Sequence, residues 1–292
     1  MAITASQRAD RKGRVWASEV PCILGVSPWK SKWDVWAEKR GLLEDKDEPE
    51  AKHLTIGQLM EEPLLQYASI TMGLGAIVRN PERKHPKLPL GAHMDALVQS
   101  DGSNLEAKNI HYANPHFDRW GEEGTDAVPD DVIIQVHAQM MCLDHLKADA
   151  SYSHVVANVA GDFMMYRVDR SDEISEIIAN EISEFWEKNV LGGVEPDASP
   201  TLSVAKCLRQ EIGKRLPLDV EVAKAFIEAG DARKAAAKTE NETKARLLAS
   251  MGDAQFGDAG PLGTFENRLM QRDGYDVKPS SHKRLFHTKK KK

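Results

Sequence analysis

The stretch HMDALVQSDGSNLEAKN, from His93 to Asn109, decides how the rest of the chain is interpreted. Two short strand-like runs flank the tetrapeptide SDGS at 100–103, which is a typical hairpin turn. An even turn centred on its Asp-Gly pair places Asp95 opposite Lys108. Because side chains alternate between the two faces of a strand, this register predicts Asp95, Glu106 and Lys108 on one face of a sheet.

Two carboxylates and a lysine on one face suggest a particular chemistry. An oxygen-only site without His or Cys is the kind that Mg²⁺ or Mn²⁺ prefers. A protonated lysine beside it can orient an attacking water or stabilise charge that builds up on a phosphate. The pattern therefore predicts metal-assisted phosphodiester hydrolysis. The spacing D-x₁₀-E-x-K is equally typical of an exposed hairpin with a salt-bridged face, and the residues alone leave that alternative open.

Two predicted helices carry side chains that suit the same site. Glu61 and Glu62 lie in a helix predicted over 57–73, where a third carboxylate can reach the metal ions or simply face solvent near the positive helix end. Gln135 and Gln139 are four residues apart and share one face of a later helix. They either reach the phosphate and its sugar–phosphate backbone or form an exposed polar stripe.

Composition excludes several classes of protein. The chain has 292 residues, 41% of them hydrophobic and 29% charged, with a net charge of -6, which argues against non-specific coating of nucleic acid. Its three cysteines, Cys22, Cys142 and Cys207, are too far apart for a disulfide framework, a cysteine zinc site or a cysteine-held cluster, which indicates a reducing compartment such as the cytoplasm. Without an apolar run of about 18 residues or a secretory leader, we expect no membrane association.

The order of the predicted elements indicates a mixed α/β fold in which helices flank a central mixed β-sheet. Glycines 192–193 and prolines 196 and 200 mark a boundary between a domain over 1–200 and a C-terminal extension over 201–292 with a helix, short strands and a basic tail. The predicted helices cover 17–24 with Ser18 as N-cap, 33–40, 57–73, 132–146, 172–190 and 220–249. The predicted strands cover 76–79, 91–98, 104–109, 152–159 and 163–169.

Several colinear segments resemble the lambda-exonuclease-like, YqaJ-type viral recombinase nucleases, a branch of the PD-(D/E)xK superfamily. Together they cover about residues 8–200. The segments are ASEVPCILGVSPWKSKWDVWAEKRG from Ala17, GQLME at 57–61, LGAHMD at 90–95, LEAKN at 105–109, QVHAQ at 135–139, and the strand and helix that follow to 190. The resemblance implies a core like that of the restriction endonucleases.

The resemblance also implies an activity and its partners. It implies an exonuclease that degrades linear double-stranded DNA from 5′ to 3′ and leaves 3′ single-stranded overhangs for phage-type homologous recombination. It further implies two Mg²⁺ ions, with Mn²⁺ as a substitute, a ring-shaped homotrimer, a single-strand annealing protein as partner, and a phage- or prophage-encoded protein in the bacterial cytoplasm.

The resemblance assigns roles around the predicted metal site. Asp95 and Glu106 would bind metal, and the carbonyl of Ala107 would complete the shell. Lys108 would position the nucleophile, and Glu61 would join the site from its helix.

Further roles concern the DNA. Gln135 would contact the site, and Gln139 would contact the DNA backbone. Arg11 and Ser18 would form a pocket for the 5′-phosphate, with Lys12 and Arg14 as rivals for the role of Arg11.

The chain departs from the family pattern in one helix. Glu62 stands where relatives often have proline, and Pro63 follows one position later, so either Glu61 or Glu62 can face the metals. The segment after residue 205 extends beyond the minimal nuclease, and the resemblance assigns it no role.

Two alternatives remain open from sequence, and a third is disfavoured. One is a structure-specific or restriction-type endonuclease on the same fold, and another is a non-catalytic protein that binds DNA ends for recombination. The CRISPR-associated iron–sulfur exonucleases are disfavoured, because three scattered cysteines cannot supply four cluster ligands.

Overall fold

The computed structural model describes residues 12–44, 52–144, 151–211 and 213–267. The chain divides into two compact units, and the boundary in the sequence lies between Arg209 and Gln210. The structure thus ends the first unit later than the predicted boundary at residue 200. The reason is local pairing, because Leu208 forms a β-bridge with Leu43 and the Arg209 amide donates to the Leu42 carbonyl at 3.0 Å.

The first unit holds most of the secondary structure. Among the described residues the strands are β1 (Val15–Trp16), β2 (Ile77–Arg79), β3 (Glu82–Lys84), β4 (Leu90–His93), β5 (Ala96–Val98), β6 (Asn104–Ile110), β7 (Tyr152–Val159), β8 (Asp162–Asp169), β9 (Phe256–Asp258) and β10 (Thr264–Glu266). The α-helices are α1 (Val20–Ile23), α2 (Lys32–Lys39), α3 (Lys52–Met72), α4 (Asp130–Met141), α5 (Asp172–Glu184), α6 (Leu202–Ala205) and α7 (Val220–Met251).

The central sheet has the order β2-β5-β6-β7-β8. Strands β6 and β7 are parallel, because the connection between them crosses over through α4, and the other neighbours are antiparallel. A smaller sheet has the order β1-β4-β3, with β1 parallel to β4. Mixed sheets with helices around them confirm the predicted fold class. Strands β1 and β3 and helix α6 were not predicted, since each is too short to show a period.

Helices cover both faces of the central sheet, so its inner strands are buried on both sides. The apolar cluster under α3 comprises Leu64, Leu65, Ala68, Ala96, Leu105, Val156 and Met165. The cluster under α4 comprises Val128, Val132, Val136, Val155, Ala157, Tyr166 and Val168. Because α3 and α4 pack on opposite faces of the sheet, the side chains of β6 that face α4 have little freedom to move.

A kinked ribbon joins the two sheets. Strand β2 pairs antiparallel with β5, and β3 pairs antiparallel with β4, in one continuous register. The strand pairing is interrupted at the same level in both segments of the ribbon. In the segment between β2 and β3, Asn80 has a φ of 48° and Pro81 lacks an amide hydrogen, and both features interrupt the strand. On the other side the chain bends at Met94 and Asp95, with the Asn80 amide donating to the Asp95 carbonyl at 3.0 Å. The strand predicted over 91–98 is therefore two strands.

The hairpin between β5 and β6 has a different register from the predicted one. Ala96 pairs with Leu105, and the Val98 amide donates to the Ser103 carbonyl at 2.9 Å. The turn therefore centres one residue earlier than predicted, and Asp95 lies level with Glu106, not with Lys108. A shift of two residues preserves the alternation of faces, so Glu106 and Lys108 still share a face of β6. Asp95 lies in the bend outside β5, and its carboxylate accepts the Ala107 amide beside the strand.

Two helix ends also differ from the predictions. Ser18 is not an N-cap, because it lies inside a 3₁₀ turn at Ala17–Glu19, where the Glu19 carboxylate accepts the Trp16 amide at 2.9 Å. Helix α4 ends at Met141, and the last two residues of the predicted helix, 145 and 146, lie outside the described part. Ser171 does cap α5 as predicted, with its hydroxyl accepting the Ile174 amide at 3.3 Å. A π-helical stretch at Phe185–Leu191 follows.

The second unit is described by itself. Helix α7 begins after Asp219, whose carboxylate accepts the Glu221 amide at 2.8 Å, and none of its residues is buried. Strands β9 and β10 pair as an antiparallel hairpin, where the sequence predicted short strands without specifying their pairing. The basic tail predicted after residue 277 lies outside the described residues. No helix in the described ranges has both the length and the hydropathy to cross a bilayer.

His137 fastens α4 to the start of α5. Its side chain is buried, with Nδ1 2.8 Å from the Ile133 carbonyl, while the Ser171 amide donates to Nε2 at 3.0 Å. The two contacts together require a neutral ring that carries its proton on Nδ1. Burial lowers the pKa of His137 below its usual value of 6.5.

This arrangement predicts acid sensitivity of the fold. Because the unfolded chain binds a proton at His137 more readily than the folded chain, the stability from His137 is present above about pH 6.5 and is lost as the pH falls. We expect the free energy of unfolding from urea titrations to fall between pH 7.5 and 5, with a shallower slope in His137→Gln. Equal slopes in the two proteins would contradict this role.

Candidate active site

The first group of predicted residues converges where β6 passes the kink. Glu106 and Lys108 project from the same face of β6, and Lys108 Nζ lies 2.6 Å from Glu106 Oε1. Asp95 reaches the strand from the bend, where its Oδ2 accepts the Ala107 amide at 2.7 Å. The structure therefore brings Asp95, Glu106, Ala107 and Lys108 together.

Helix α4 supplies two amides to the same carboxylate. Gln135 Nε2 donates to Glu106 Oε1 at 2.6 Å, and Gln135 Oε1 accepts Lys108 Nζ at 2.9 Å. One turn later, Gln139 Nε2 donates to Glu106 Oε2 at 2.7 Å. Both oxygens of Glu106, whose exposure is only 3%, are thus held by fixed donors.

The position of Gln139 does not fit the predicted DNA contact. Its exposure is 0%, and its Oε1 accepts a hydrogen bond from Asn104 Nδ2 at 2.6 Å. Both the oxygen and the nitrogen of the Gln139 amide are therefore hydrogen-bonded within the protein. Gln139 belongs to the support of Glu106. Asn104, which also donates to Ser153 Oγ at 2.9 Å, was missed by the sequence analysis. The signal was available, since Asn104 precedes Glu106 by two residues and therefore shares its face.

The charges in the site act on one another. Burial raises the pKa of Asp95 well above its usual value, and the charge of Glu106 raises it further. Burial acts to lower the pKa of Lys108, but the carboxylates of Glu106 and Asp95 outweigh it and the pKa is raised. Lys108 is therefore an ammonium that donates hydrogen bonds and does not accept a proton from water.

Of the two neighbouring glutamates in α3, Glu61 faces the site. Burial raises the pKa of Glu61, and the charge of Glu106 adds to the effect. Glu62 is exposed and engaged elsewhere, with its Oε1 2.8 Å from Arg79 and 2.9 Å from the Gln66 amide nitrogen. These observations favour Glu61 over Glu62 at the site, and its role there stays a prediction.

The donor set fits a hard divalent cation. Asp95 and Glu106 offer carboxylate oxygens, and the carbonyl of Ala107 faces the same edge as its amide, which points at Asp95. With Glu61 the site holds three carboxylates against the single ammonium of Lys108, an excess of negative charge that a divalent cation would offset. Within the described ranges no three His, Cys, Asp or Glu side chains are arranged to hold a metal.

The predicted 5′-phosphate pocket is only partly visible. Ser18 is exposed on its 3₁₀ turn, which packs against β4 and α4, the elements beside the site. Arg11 lies outside the described residues. Its role, and that of the pair, stays a prediction.

The fold and this site define a mixed α/β protein with a D-x₁₀-E-x-K site where the middle strand of the central sheet passes the kink. Residues 8–150 match the model of the YqaJ-like viral recombinase domain, which confirms the resemblance seen in the sequence. The protein called YqaJ, an uncharacterized protein of Bacillus subtilis (strain 168), is 25% identical over 192 residues, or 64% of this chain. The match spans 56% of the length of that relative.

Several solved structures are similar to part of this chain. An alkaline exonuclease (LHK-Exo) from Laribacter hongkongensis has 19% identity and a TM-score of 0.48, covering 63% of this chain and 92% of its own. A phage-related exonuclease from Haemophilus somnus 129PT has 14% identity and a TM-score of 0.42, covering 62% and 96%. A putative exonuclease from Eubacterium rectale has 10% identity and a TM-score of 0.49, covering 77% and 99%.

The electrostatics of the site predict that the buried Asp95 charge lowers the free energy of unfolding. Asp95→Asn removes a buried charge that Glu106 repels, so we expect the thermal midpoint of the first unit, measured by calorimetry in EDTA at pH 8, to rise by about 2–4 °C per kcal/mol gained. Since the folded pKa of Asp95 is raised, the gain should shrink as the pH falls toward its usual value of 3.8.

Asp126→Asn, on an exposed loop, is the matched control and should leave the midpoint unchanged. A midpoint that falls in Asp95→Asn would show that Asp95 stabilises the fold as an anion, contrary to this account.

Proposed function

We propose that this protein is a divalent-metal-dependent deoxyribonuclease that degrades one strand of linear double-stranded DNA from its 5′ end. The observation that carries the proposal is the convergence of Asp95, Glu106 and Lys108, with Lys108 Nζ 2.6 Å from Glu106 Oε1. A hard-oxygen donor pair next to a fixed ammonium suits hydrolysis of a phosphodiester. The viral recombinase family and the exonuclease names of the solved relatives support DNA ends as the substrate.

The metal would be Mg²⁺, with Mn²⁺ as a substitute, held by Asp95, Glu106 and the Ala107 carbonyl, and two ions are expected. When bound, the metal supplies a more acidic water and neutralises charge on the phosphate. The ordinary preference of Mg²⁺ for retained waters and phosphate oxygens suits a site with so few protein ligands.

Lys108 would position the attacking water. Its ammonium is already oriented, because Glu106 Oε1 and Gln135 Oε1 accept two of its hydrogens at 2.6 and 2.9 Å. The third hydrogen remains for the water or for a phosphate oxygen. Gln135 bridges Lys108 and Glu106, so one amide fixes the spacing between the ammonium and the carboxylate. Preorganised charge of this kind acts without reorganisation during the reaction.

The finer parts of the proposal follow the family. Degradation of the 5′ strand would leave 3′ single-stranded overhangs for phage-type recombination. A single-strand annealing protein would take up those overhangs, and a homotrimeric ring in the bacterial cytoplasm would keep the enzyme on its strand. Ser18 and Arg11 would bind the 5′-phosphate.

One experiment tests activity, polarity and the phosphate pocket together. Linear duplexes carry a label at one end of one strand, with either a 5′-phosphate or a 5′-hydroxyl, and are incubated with Mg²⁺ or EDTA. We expect Mg²⁺-dependent loss of the 5′-phosphorylated strand, slower loss with 5′-hydroxyl, and no cutting of a closed circular plasmid. Cutting of the circle would favour the endonuclease alternative, and equal rates on both ends would remove the basis for Arg11 and Ser18.

Glu106→Gln should abolish the reaction. The substitution keeps the shape of the side chain but removes a metal ligand, and we expect loss of ~10³-fold or more in the rate, about 4 kcal/mol in the barrier. Glu82→Gln, at an exposed ion pair with Lys84, is the matched control and should retain the wild-type rate. Unchanged activity in Glu106→Gln would place the reaction elsewhere.

Gln139 offers a test between support and DNA contact. Gln139→Ala leaves Glu106 Oε2 without its donor, and loss of such a partner typically costs 10–100-fold in metal affinity or activity. We therefore expect the Mg²⁺ concentration for half-maximal rate to rise while the KM for DNA stays the same. A rise in the KM for DNA at an unchanged Mg²⁺ requirement would restore the DNA contact predicted from sequence.

A further inference from the structure

Strand β6 runs from the candidate active site directly into an exposed turn. The stretch KNIHYANPH, residues 108–116, contains no acidic residue in a chain whose net charge is -6. His111, Tyr112 and Ala113 are all exposed. A segment next to the site that is free of negative charge is compatible with a polyanion lying across it.

An aromatic pair projects from this turn. The rings of His111 and Tyr112 lie 4.0 Å apart between centroids, at 38° to each other, and Tyr112 is 72% exposed. The other tyrosines of the described ranges, Tyr67, Tyr152 and Tyr166, are at least partly covered. The His111 ring is itself fixed, because its Nδ1 accepts the Ala113 amide at 3.2 Å. Tyr112 therefore rests on an oriented ring and shows its remaining surface to solvent.

The turn is tied to the active-site helix. His116 Nδ1 lies 3.0 Å from Asp131 Oδ1, and the His116 amide donates to Asn114 Oδ1 at 2.8 Å. Asp131 precedes Gln135 by four residues and so continues the stripe of α4 that contacts Glu106 and Lys108. The aromatic pair is thus held at a defined place beside the site instead of on a free loop.

We propose that Tyr112, supported by His111, is a stacking platform for a nucleobase of the DNA substrate. The proposal rests on the proposed nuclease function and adds that the protein binds a nucleobase of the substrate. At about 3.3 Å per strand residue, His111 lies roughly 10 Å beyond Lys108. That span equals about three base steps of duplex, so the platform would hold a base a few nucleotides from the cut. Stacking tolerates any base, as an exonuclease without sequence preference requires.

The test compares intact and abasic DNA. Duplexes with a 5′-phosphate carry one abasic nucleotide at each of the first four positions of either strand in turn. Binding is measured by anisotropy in Ca²⁺ and cutting in Mg²⁺. The proteins are the wild type, Tyr112→Ala, Tyr112→Phe, which keeps the ring, and Ile70→Ala, an exposed apolar control on α3.

We expect wild type to bind intact DNA roughly 5- to 150-fold more tightly than DNA abasic at the stacked position. Tyr112→Ala should bind both alike, whereas Tyr112→Phe and Ile70→Ala should keep the wild-type ratio. If wild type shows no base dependence at any position, or Tyr112→Ala retains it, the platform is wrong. Failure of wild type to cut in Mg²⁺ counts against the nuclease function, and the binding ratios still decide the platform.

Discussion

The structure depends on supplying hydrogen-bond donors to one buried carboxyl group, that of Glu106. A buried carboxylate is costly unless it is paired and fully hydrogen-bonded. Glu106 meets this condition through three donors from two elements, the Lys108 ammonium and the amides of Gln135 and Gln139. The parallel pairing of β6 with β7 and the crossover through α4 are what bring those donors to it. The fold of the first unit therefore positions the donors that bind the Glu106 carboxyl group.

The kink in the ribbon supplies the second carboxylate. A straight strand from 90 to 98 would leave Asp95 in an ordinary ladder position, but the breaks at Asn80 and Met94 turn the chain from one sheet into the other. The Asp95 carboxylate then replaces a strand partner by accepting the Ala107 amide. The bend thus places two like charges side by side, which is unfavourable for the apoprotein and suited to a divalent cation.

The sequence alone was sufficient for much of this arrangement. Period-two alternation predicted that Asp95, Glu106 and Lys108 share a face. The structure brings the three residues together, with Glu106 and Lys108 on one face of β6, but Asp95 reaches them from the bend through the Ala107 amide. The kink could not be predicted, since it requires Asn80 and Asp95 to meet across the ribbon. The burial of Gln139 was missed for a similar reason, because helical spacing gives the shared stripe but not which part of it faces a buried strand. Short elements such as β1 and β3 exist only through tertiary pairing.

The kink and β6 together are proposed to hold a divalent cation. The most direct measurement is a titration of Mn²⁺ followed by electron paramagnetic resonance, comparing wild type with Asp95→Asn. The account predicts that wild type removes Mn²⁺ from the free signal and that Asp95→Asn loses this binding while remaining folded. Equal Mn²⁺ binding by the two proteins, or none by wild type up to millimolar concentrations, would contradict it.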